Sequence, residues 1–584
     1  MDLIITEKPS VATSIANAIA NKQATRATKS PDGECWVVGN YCVTWAFGHL
    51  LTLKMPEEYN PQYKKWTTKD LPIIPDKFEY KPISRDHSKR LQIIKRLWKQ
   101  ADTVYCATDA GREGELIFRL IWQHIGTGKT KPVKRMWLQT LTDEGIITAL
   151  EKAQPISKYD NLYAAGLERS LADWIVGINL TRLVTLQHHE YKQVYSIGRV
   201  QTPTLAIIVQ REREIQQHKS KIAYRPILVF DEFELACTTT FPNAEAAEQA
   251  VAGVVGKQLK LTMTTKENKI DPPLLPSLTD LQREMPWRGA QTLEILQTLY
   301  EHKLVSYPRT DSNYLPEDMP QQILKIAKQL GDADAIEHVK SPAKPKRIYD
   351  NSKVTDHYAI IPLSKPHELS DKEKELFDHI VARFFSAFYP PAINVVQTVK
   401  TTYNNLTFTT QRTSTKEPSW FRFFPDRIMN DTFIPEEKNA QVKSTKIAKV
   451  KSNPPSRWTD GTLIDALAHA GRFLDQRDLK QVLSDKGIGT PATRADIIER
   501  LIKVGYVQRK GRSLVPTDKG IHLIDWLNTH NMAELTSPKM TALWETRLES
   551  IADGKEKPQN FRNDIIQWTR KLCQQQLTED SERT

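Results

Sequence analysis

The period of the apolar positions changes within the first twenty residues. Leu3-Ile4-Ile5 is a continuous apolar run, as expected of a strand covered on both faces. Val11, Ile15, Ala18 and Ile19 then recur at helical spacing across 10–20. The succession returns later: Val104-Tyr105-Cys106-Ala107, a glycine-containing polar turn, then Leu116, Ile117, Leu120 and Ile121 on one helical side. Strand, polar turn and helix, repeated, predict an α/β unit with a parallel sheet, whose ligand edge lies at the carboxyl ends of its strands. Glu7 and Asp109 fall at those ends.

Further along, 155–215 reads as helix, with Leu167, Leu171, Ile175 and Ile178 on one face. Strand-like runs follow within 222–270, and Pro272-Pro273-Leu274-Leu275-Pro276 interrupts them. Ser277-Leu278-Thr279-Asp280 has the form of a capping box, and helical spacing continues through Leu293, Leu296, Leu299 and Tyr300 to a turn at Tyr307. Strand-like alternation returns at 392–412 and 440–451, and the rest to 575 is mainly helical. The pattern implies a chain that leaves one domain and comes back to it twice. A weak echo links 296–316 with 497–516: a helix, then a short turn or basic hairpin, as in winged-helix modules. A non-binding helical domain reads the same way.

Composition narrows the class. The 584 residues are enough for several domains, and 39% hydrophobic with 26% charged content describes a folded soluble chain. The net charge of +12, from 82 Lys+Arg against 70 Asp+Glu, suits a polyanionic partner without requiring one. Cys35, Cys42, Cys106, Cys237 and Cys573 form no C-x-x-C pair, which excludes a zinc ribbon and points to a reducing, cytoplasmic setting. No apolar run approaches membrane-spanning length, and neither a Walker motif nor a G-x-S-x-G elbow occurs.

Against this background a few polar segments carry candidate chemistry. In Tyr307-Pro308-Arg309-Thr310-Asp311 a phenol has an arginine two positions on; its free pKa of about 10 makes it a weak nucleophile unless charge or a base assists. A packing role is the ordinary fate of a single tyrosine. Asp109-Ala110-Gly111-Arg112-Glu113-Gly114-Glu115 offers hard oxygen ligands suited to Mg²⁺ and a guanidinium beside them; acidic residues also stabilise any helix N-terminus. Glu7-Lys8 supplies an acid and a point charge at the end of the first strand, or simply starts a helix. Ser196-Ile197-Gly198-Arg199-Val200-Gln201 and Gly487 to Arg494 combine glycines, hydroxyls and arginines that fit a nucleic-acid backbone, or ordinary capping. Asp356-His357-Tyr358 adds a histidine.

Taken in order, these segments resemble the type IA DNA topoisomerases, and within them the bacterial topoisomerase III group. The likeness runs from Met1 to about residue 550. Ile4 to Ser10, Trp45-Ala46-Phe47-Gly48-His49-Leu50 and Asp109 to Glu115 are similar to the family's Toprim domain. Arg169 to Trp174, Asn179 to Arg182 and Ser196 to Thr204 are similar to its helical strand-gripping region. Pro272 to Gln282, Tyr307 to Ser312, His357 to Pro362 and Gly487 to Arg494 follow in the family's order.

The resemblance implies an α/β plus mainly α multidomain torus. A Rossmann-like Toprim domain is expected at 1–153 and a helical DNA-binding base at 154–215 plus 459–575. A β-rich arch is expected at 216–278 plus 405–458, a winged-helix nucleophile domain at 279–404, and a polar tail at 576–584. It implies an ATP-independent enzyme that cuts one strand through a 5′-phosphotyrosine, passes a strand and reseals. Tyr307 would be the nucleophile, Glu7 the proton donor, Lys8 and Arg309 the phosphate's countercharge, and His357 an assistant. Glu7, Asp109 and Glu113 would hold Mg²⁺. Arg169, Asp173, Ser196, Ile197, Gly198, Arg199, Val200, Gln201, Thr490, Thr493 and Arg494 would hold DNA.

The substrates implied are single-stranded and negatively supercoiled DNA, the partners a RecQ-type helicase and a single-strand binding protein, and the enzyme a monomer. Gly111 stands where many members have a second aspartate, which leaves Glu115 as a candidate substitute ligand. A Toprim nuclease or primase, or a non-catalytic DNA clamp, are the rival readings.

Overall fold

The computed structural model describes all residues except 127–130, 139–140, 189–192, 332, 355–356, 437–438, 475–486 and 584. Asp356 therefore lies outside the described residues. The N-terminal region is built on a seven-stranded sheet of β1 (Asp2–Thr6), β2 (Thr28–Lys29), β3 (Trp36–Val38), β4 (Tyr41–Trp45), β5 (Thr103–Ala107), β6 (Val133–Arg135) and β7 (Gln154–Pro155). Their order is β2-β3-β4-β1-β5-β6-β7. β1 is central and parallel to both β4 and β5, and Leu3, Ile4 and Ile5 are fully buried, which is why that run lacks alternation. The register pairs Thr6 with Ala107, so Glu7 and the Thr108-Asp109 turn leave the sheet side by side. Helices α1 (Pro9–Lys22), α2 (Arg85–Gln100) and α3 (Arg112–Ile125) pack on this sheet, with Val11, Ile15, Leu91, Ile94, Leu116 and Ile117 inward.

The helical pieces far apart in sequence share one core. Leu171, Ile175 and Leu183 of α4 (Asp160–Gln187) and Leu205 and Ile208 of α5 (Gln201–Gln217) pack with residues from the C-terminal third. That joint core is the return of the chain expected from the pattern.

Between these pieces lies a six-stranded antiparallel sheet of β8 (Ile222–Val229), β9 (Glu234–Cys237), β10 (Thr262–Ile270), β11 (Ala392–Tyr403), β12 (Leu406–Glu417) and β13 (Ser444–Lys451), in the order β10-β11-β12-β9-β8-β13. β11 corrects the boundary expected at 404: residues 392–403 pair along their length with β10 and β12 and belong to this sheet. Local alternation shows that a segment is a strand, not which sheet receives it.

Ser277 and Asp280 cap α6 (Leu278–Glu284) with the capping box read from the sequence. Leu278 and Leu281 of α6 and Leu293, Leu296 and Leu299 of α7 (Gly289–Glu301) share one apolar cluster with Ile4, Val11 and Ile15 of the N-terminal unit. The region carrying Tyr307 and the region carrying Glu7 are thus joined by a dry contact.

α8 (Asp460–Ala468) and α9 (Pro491–Lys503) follow, and the hairpin β14 (Val507–Lys510) and β15 (Ser513–Pro516) comes directly after α9. Helix and hairpin form the wing-like unit expected at 497–516. The chain closes with α10 (Pro538–Ala552) and α11 (Pro558–Arg583). Of the polar tail expected at 576–584, residues 576–583 continue α11, and Gln576 is buried and donates to the His530 carbonyl. No helix among the described residues is long and apolar enough to cross a membrane.

Candidate active site

Two backbone bonds hold the first acidic residue. Ala46 N–H donates to the Thr6 carbonyl at 2.8 Å and Gly48 N–H to the Glu7 carbonyl at 3.0 Å. The Glu7 side chain is buried and accepts from the Asp109 amide at 3.4 Å. Burial, then the nearby Asp109 charge, push its carboxyl up to about 7, and Lys8 and His49 offset only part of this. Lys8 is half-buried at the rim.

Asp109 is held from below by Arg135, which is fully buried. Its guanidinium donates to the carbonyls of Cys106 (3.1 Å), Thr108 (2.8 Å), Met136 (3.1 Å) and Asp109 (2.6 Å). The local backbone then needs glycine twice. Gly111 has φ +149° and ψ 176°, a region that side chains avoid, and a Cβ on Gly114 would lie 2.1 Å from the Asp109 carbonyl oxygen.

Glu115 is not the substitute ligand considered above. It is fully buried and paired with Arg119 at 2.9 Å and Arg135 at 3.1 Å. Glu113 is held by His49, whose Nε2 lies 2.5 Å from Glu113 Oε1. Burial opposes the charged imidazole, but the Glu113 bond and charge outweigh it and raise the histidine above its ordinary value. Of the expected metal trio, Glu7 and Asp109 stand together and Glu113 faces His49. Among the described residues no group of three acidic, histidine or cysteine side chains is close enough to hold an ion.

Tyr307 reaches this edge from 198 residues away, and its hydroxyl donates to Asp109 Oδ2 at 2.5 Å. Its ring stacks against His357 at 4.1 Å and meets the edge of Tyr300 at 5.4 Å. Ser306 fixes the turn: its hydroxyl donates to the Ala359 carbonyl and accepts from the Ile361 amide, both at 2.9 Å. Thr310 Oγ1 donates to the His357 carbonyl at 3.0 Å. Burial, then the charges of Asp109 and Glu7, hold the phenol well above its usual range, with Arg309 lowering it less. His357 is buried, its Nδ1 has no hydrogen-bond partner, and burial pushes it down to about 4, so its ring is neutral. Arg309 Nε is also buried without a partner.

The residues expected to grip DNA divide. Ser196, Gly198, Val200 and Gln201 form a half-buried turn leading into α5, and Gln201 Nε2 donates to the Ser196 carbonyl at 3.1 Å. Ile197 and Arg199 point inward; Arg199 Nε donates to Asp173 at 3.0 Å. Arg169 lies half-buried on α4 near the exposed Asp173. Thr490 and Thr493 cap α9, and Thr493 is exposed. Arg494 departs from expectation: it is fully buried, and its Nη1 donates to both carboxylate oxygens of Asp311 at 2.8 Å. It joins α9 to the Tyr307 turn and has no open face for a phosphate.

Sequence reasoning missed His49, Arg135 and Glu545 as parts of this neighbourhood. His49 carried a usable signal, since it lies in the Trp45–Leu50 segment singled out above. Glu545 carried none, being one acidic residue in an amphipathic helix.

Comparison with known proteins follows this geometry. Residues 157–563 match the family model described as DNA topoisomerase, and residues 2–141 match the Toprim domain model. A protein named DNA topoisomerase 3 from Staphylococcus epidermidis is 35% identical, over 98% of this chain and 81% of its own length. One of the same name from Bacillus cereus is 33% identical over 99% and 82%. The full-length topoisomerase I structure from Thermotoga maritima shares the fold with a TM-score of 0.74, at 21% identity, covering 98% of this chain and 90% of that one.

Proposed function

The chain belongs to the type IA DNA topoisomerases, of the topoisomerase III kind, and from that premise we propose how its residues cut and rejoin a strand. The family's enzymes are ATP-independent isomerases of DNA topology. In the proposed reaction Tyr307 Oη attacks the phosphorus of a single-stranded phosphodiester. A P–O bond to tyrosine forms, the P–O3′ bond breaks, and the phenol proton leaves along the existing bond to Asp109 Oδ2. Glu7, protonated up to about pH 7, gives its proton to the departing 3′ oxygen. One phosphoester replaces another, so resealing needs no external energy source. Arg309 and Lys8 offset charge on the phosphate, and the neutral His357 packs the tyrosine ring.

The single observation that carries this reading is the 2.5 Å contact between Tyr307 and Asp109 across 198 residues. Glu7 accepts from the Asp109 amide and the Asp109 charge helps raise its carboxyl, and such a pair suits a hard divalent cation. Glu7 and Asp109 would hold Mg²⁺, and Glu113 would join on leaving His49; bound there, the ion supplies positive charge beside the scissile phosphate. In the same reading 1–153 is the metal-binding domain, the helical core binds DNA, the six-stranded sheet is the arch, and the nucleophile segment ends before β11. The proposed substrates are single-stranded and negatively supercoiled DNA, acted on by a monomer. A helicase and a single-strand binding protein fit as partners because cleavage requires unpaired DNA. Five free, buried cysteines support a cytoplasmic setting.

Incubation with labelled single-stranded DNA followed by denaturation tests the assignment. Tyr307→Phe should lose the covalent adduct and keep DNA binding; an adduct in that variant would refute the role of Tyr307. Supercoil relaxation in Mg²⁺ but not in EDTA separates this enzyme from a clamp that only binds.

A further inference from the structure

Glu545 lies on α10, and its carboxylate is divided between two distant arginines. Oε2 accepts from Arg112 Nη2 at 2.9 Å and Oε1 accepts from Arg199 Nη1 at 3.0 Å. The first partner is 433 residues away and the second 346. Burial works against ionisation, yet the charges of Arg112, Arg199 and Arg169 hold this carboxyl far below the usual range. α10 grips Arg199 in two further ways: Thr541 Oγ1 donates to its carbonyl at 3.0 Å, and its guanidinium lies over the Trp544 ring at 5.2 Å.

The other ends of these contacts lie in the machinery. Arg112 opens α3 and directly precedes Glu113, while Arg199 sits in the turn expected to hold the strand. Three guanidiniums, of Arg112, Arg169 and Arg199, face three carboxylates: Glu545 and Asp173, and Glu113, whose charge Arg169 and Arg112 also favour. Arg199 Nη2 is buried and makes no hydrogen bond. Arg199 is closed off, but the Arg112 side chain keeps 25% exposure beside Glu113, which leaves its guanidinium a face for one phosphodiester oxygen.

We propose that Glu545 is a positioning residue for strand cleavage: it fixes Arg112, and behind it Arg199 with the turn that carries it, so that a phosphodiester entering beside Glu113 meets the Arg112 guanidinium in one geometry. This rests on the assignment of cleavage to Tyr307. Glu545 touches no reacting atom, so its loss disturbs orientation more than attachment. Without its charge the three arginines repel and turn outward, where they still attract DNA.

The test uses Glu545→Gln, which keeps the size and loses the charge, and Glu545→Asp, which keeps the charge on a shorter arm. Each is measured for single-turnover adduct formation at saturating single-stranded oligodeoxynucleotide, and, in the Tyr307→Phe background, for affinity by fluorescence anisotropy. The glutamine variant should cleave about 10- to 100-fold more slowly with an affinity within about threefold of the parent. The aspartate variant should fall between it and the parent. An unchanged rate in folded Glu545→Gln, or rate and affinity falling together as in general unfolding, would overturn the proposal. If the glutamine variant does not fold, Glu545→Asp decides alone: a slower rate at constant affinity supports the proposal and an unchanged rate overturns it. An adduct persisting in Tyr307→Phe brings down this proposal together with the tyrosine assignment, whereas the other failures leave that assignment standing.

Discussion

Replacing Arg494 by Met asks whether a buried arginine in a DNA-binding motif serves the fold or the DNA. The side chain donates to both Asp311 oxygens at 2.8 Å, to Gly489 O at 3.2 Å, to Thr279 Oγ1 at 3.2 Å and to Ile488 O at 3.3 Å. Methionine fills much of the volume and satisfies none of these acceptors. Breaking a buried pair by removing one partner costs about 3–5 kcal/mol. The Asp311 side chain keeps 28% exposure, so water recovers part of its solvation and the lower end, about 3 kcal/mol, is expected.

The cost should appear in the unfolding transition that contains α9 and be relieved in Arg494→Met/Asp311→Leu, a coupling above about 1 kcal/mol in a double-mutant cycle. DNA binding gives the opposing signal. A lost phosphate contact reduces the salt slope of single-strand affinity by about 0.7. With Arg494 closed off by Asp311, the slope should stay at the parent value. A slope reduced by that amount with unchanged stability would refute the reasoning and return Arg494 to the DNA interface.

Gly111→Asp adds the carboxylate that the resemblance leads one to expect, but at φ +149° the new side chain is strained by about 1–3 kcal/mol. Thermal melting should fall, and the Mg²⁺ concentration for half-maximal relaxation should not improve. Glu7 gives a pH signature. Its folded pKa of about 7 lies above the free value of 4.5, so the folded state binds the extra proton in that window. Stability from this group is therefore lost as pH rises from the free value through the folded one. Without Mg²⁺, single-turnover cleavage should decline above pH 7 as Glu7 gives up its proton, and Glu7→Gln should remove that limb; a flat profile would exclude Glu7 as the acid. Glu115→Gln should lower stability while leaving the Mg²⁺ requirement unchanged, because Glu115 answers Arg135 and Arg119; a raised Mg²⁺ requirement would make it a ligand after all.

What the sequence made legible was local. β1 and β5, the capping box at Ser277 and the helix-then-hairpin unit near 507 follow from spacing and turn chemistry, which act over a few residues. Motif order singled out Tyr307, Glu7 and Asp109, which the fold brings together. What spacing does not show is long-range. Arg494 has the spacing of a strand-gripping residue, and only its partner 183 residues away shows that its charge is spent internally. Glu113 has the chemistry of a metal ligand, and only the fold shows that His49, 64 residues earlier, holds its carboxylate. Glu115 sits in the acidic box yet turns to the other side of its helix, where arginines wait. β11 reads as a strand by itself and gives no hint of its neighbours. The last turns of α11 read as a tail because their sequence is polar all round, and tertiary bonds from Gln576 are invisible in that pattern.

The placement of β11 beside β10 has a mechanical meaning. Ile270 and Ala392 are paired neighbours, so the block between them leaves and rejoins the sheet at one spot. Pro272-Pro273 on the way out and Pro390-Pro391 on the way back stiffen both stems. The outgoing stem is also stitched to the block: Arg347 donates to the Pro272 carbonyl at 2.9 Å and Arg383 to the Leu274 carbonyl at 2.6 Å. The pairing fixes the distance between the block's two ends. The segment carrying Tyr307 therefore joins the sheet through one doubled stem. Tension along the main chain passes from β10 to β11 across their ladder and largely bypasses the tyrosine.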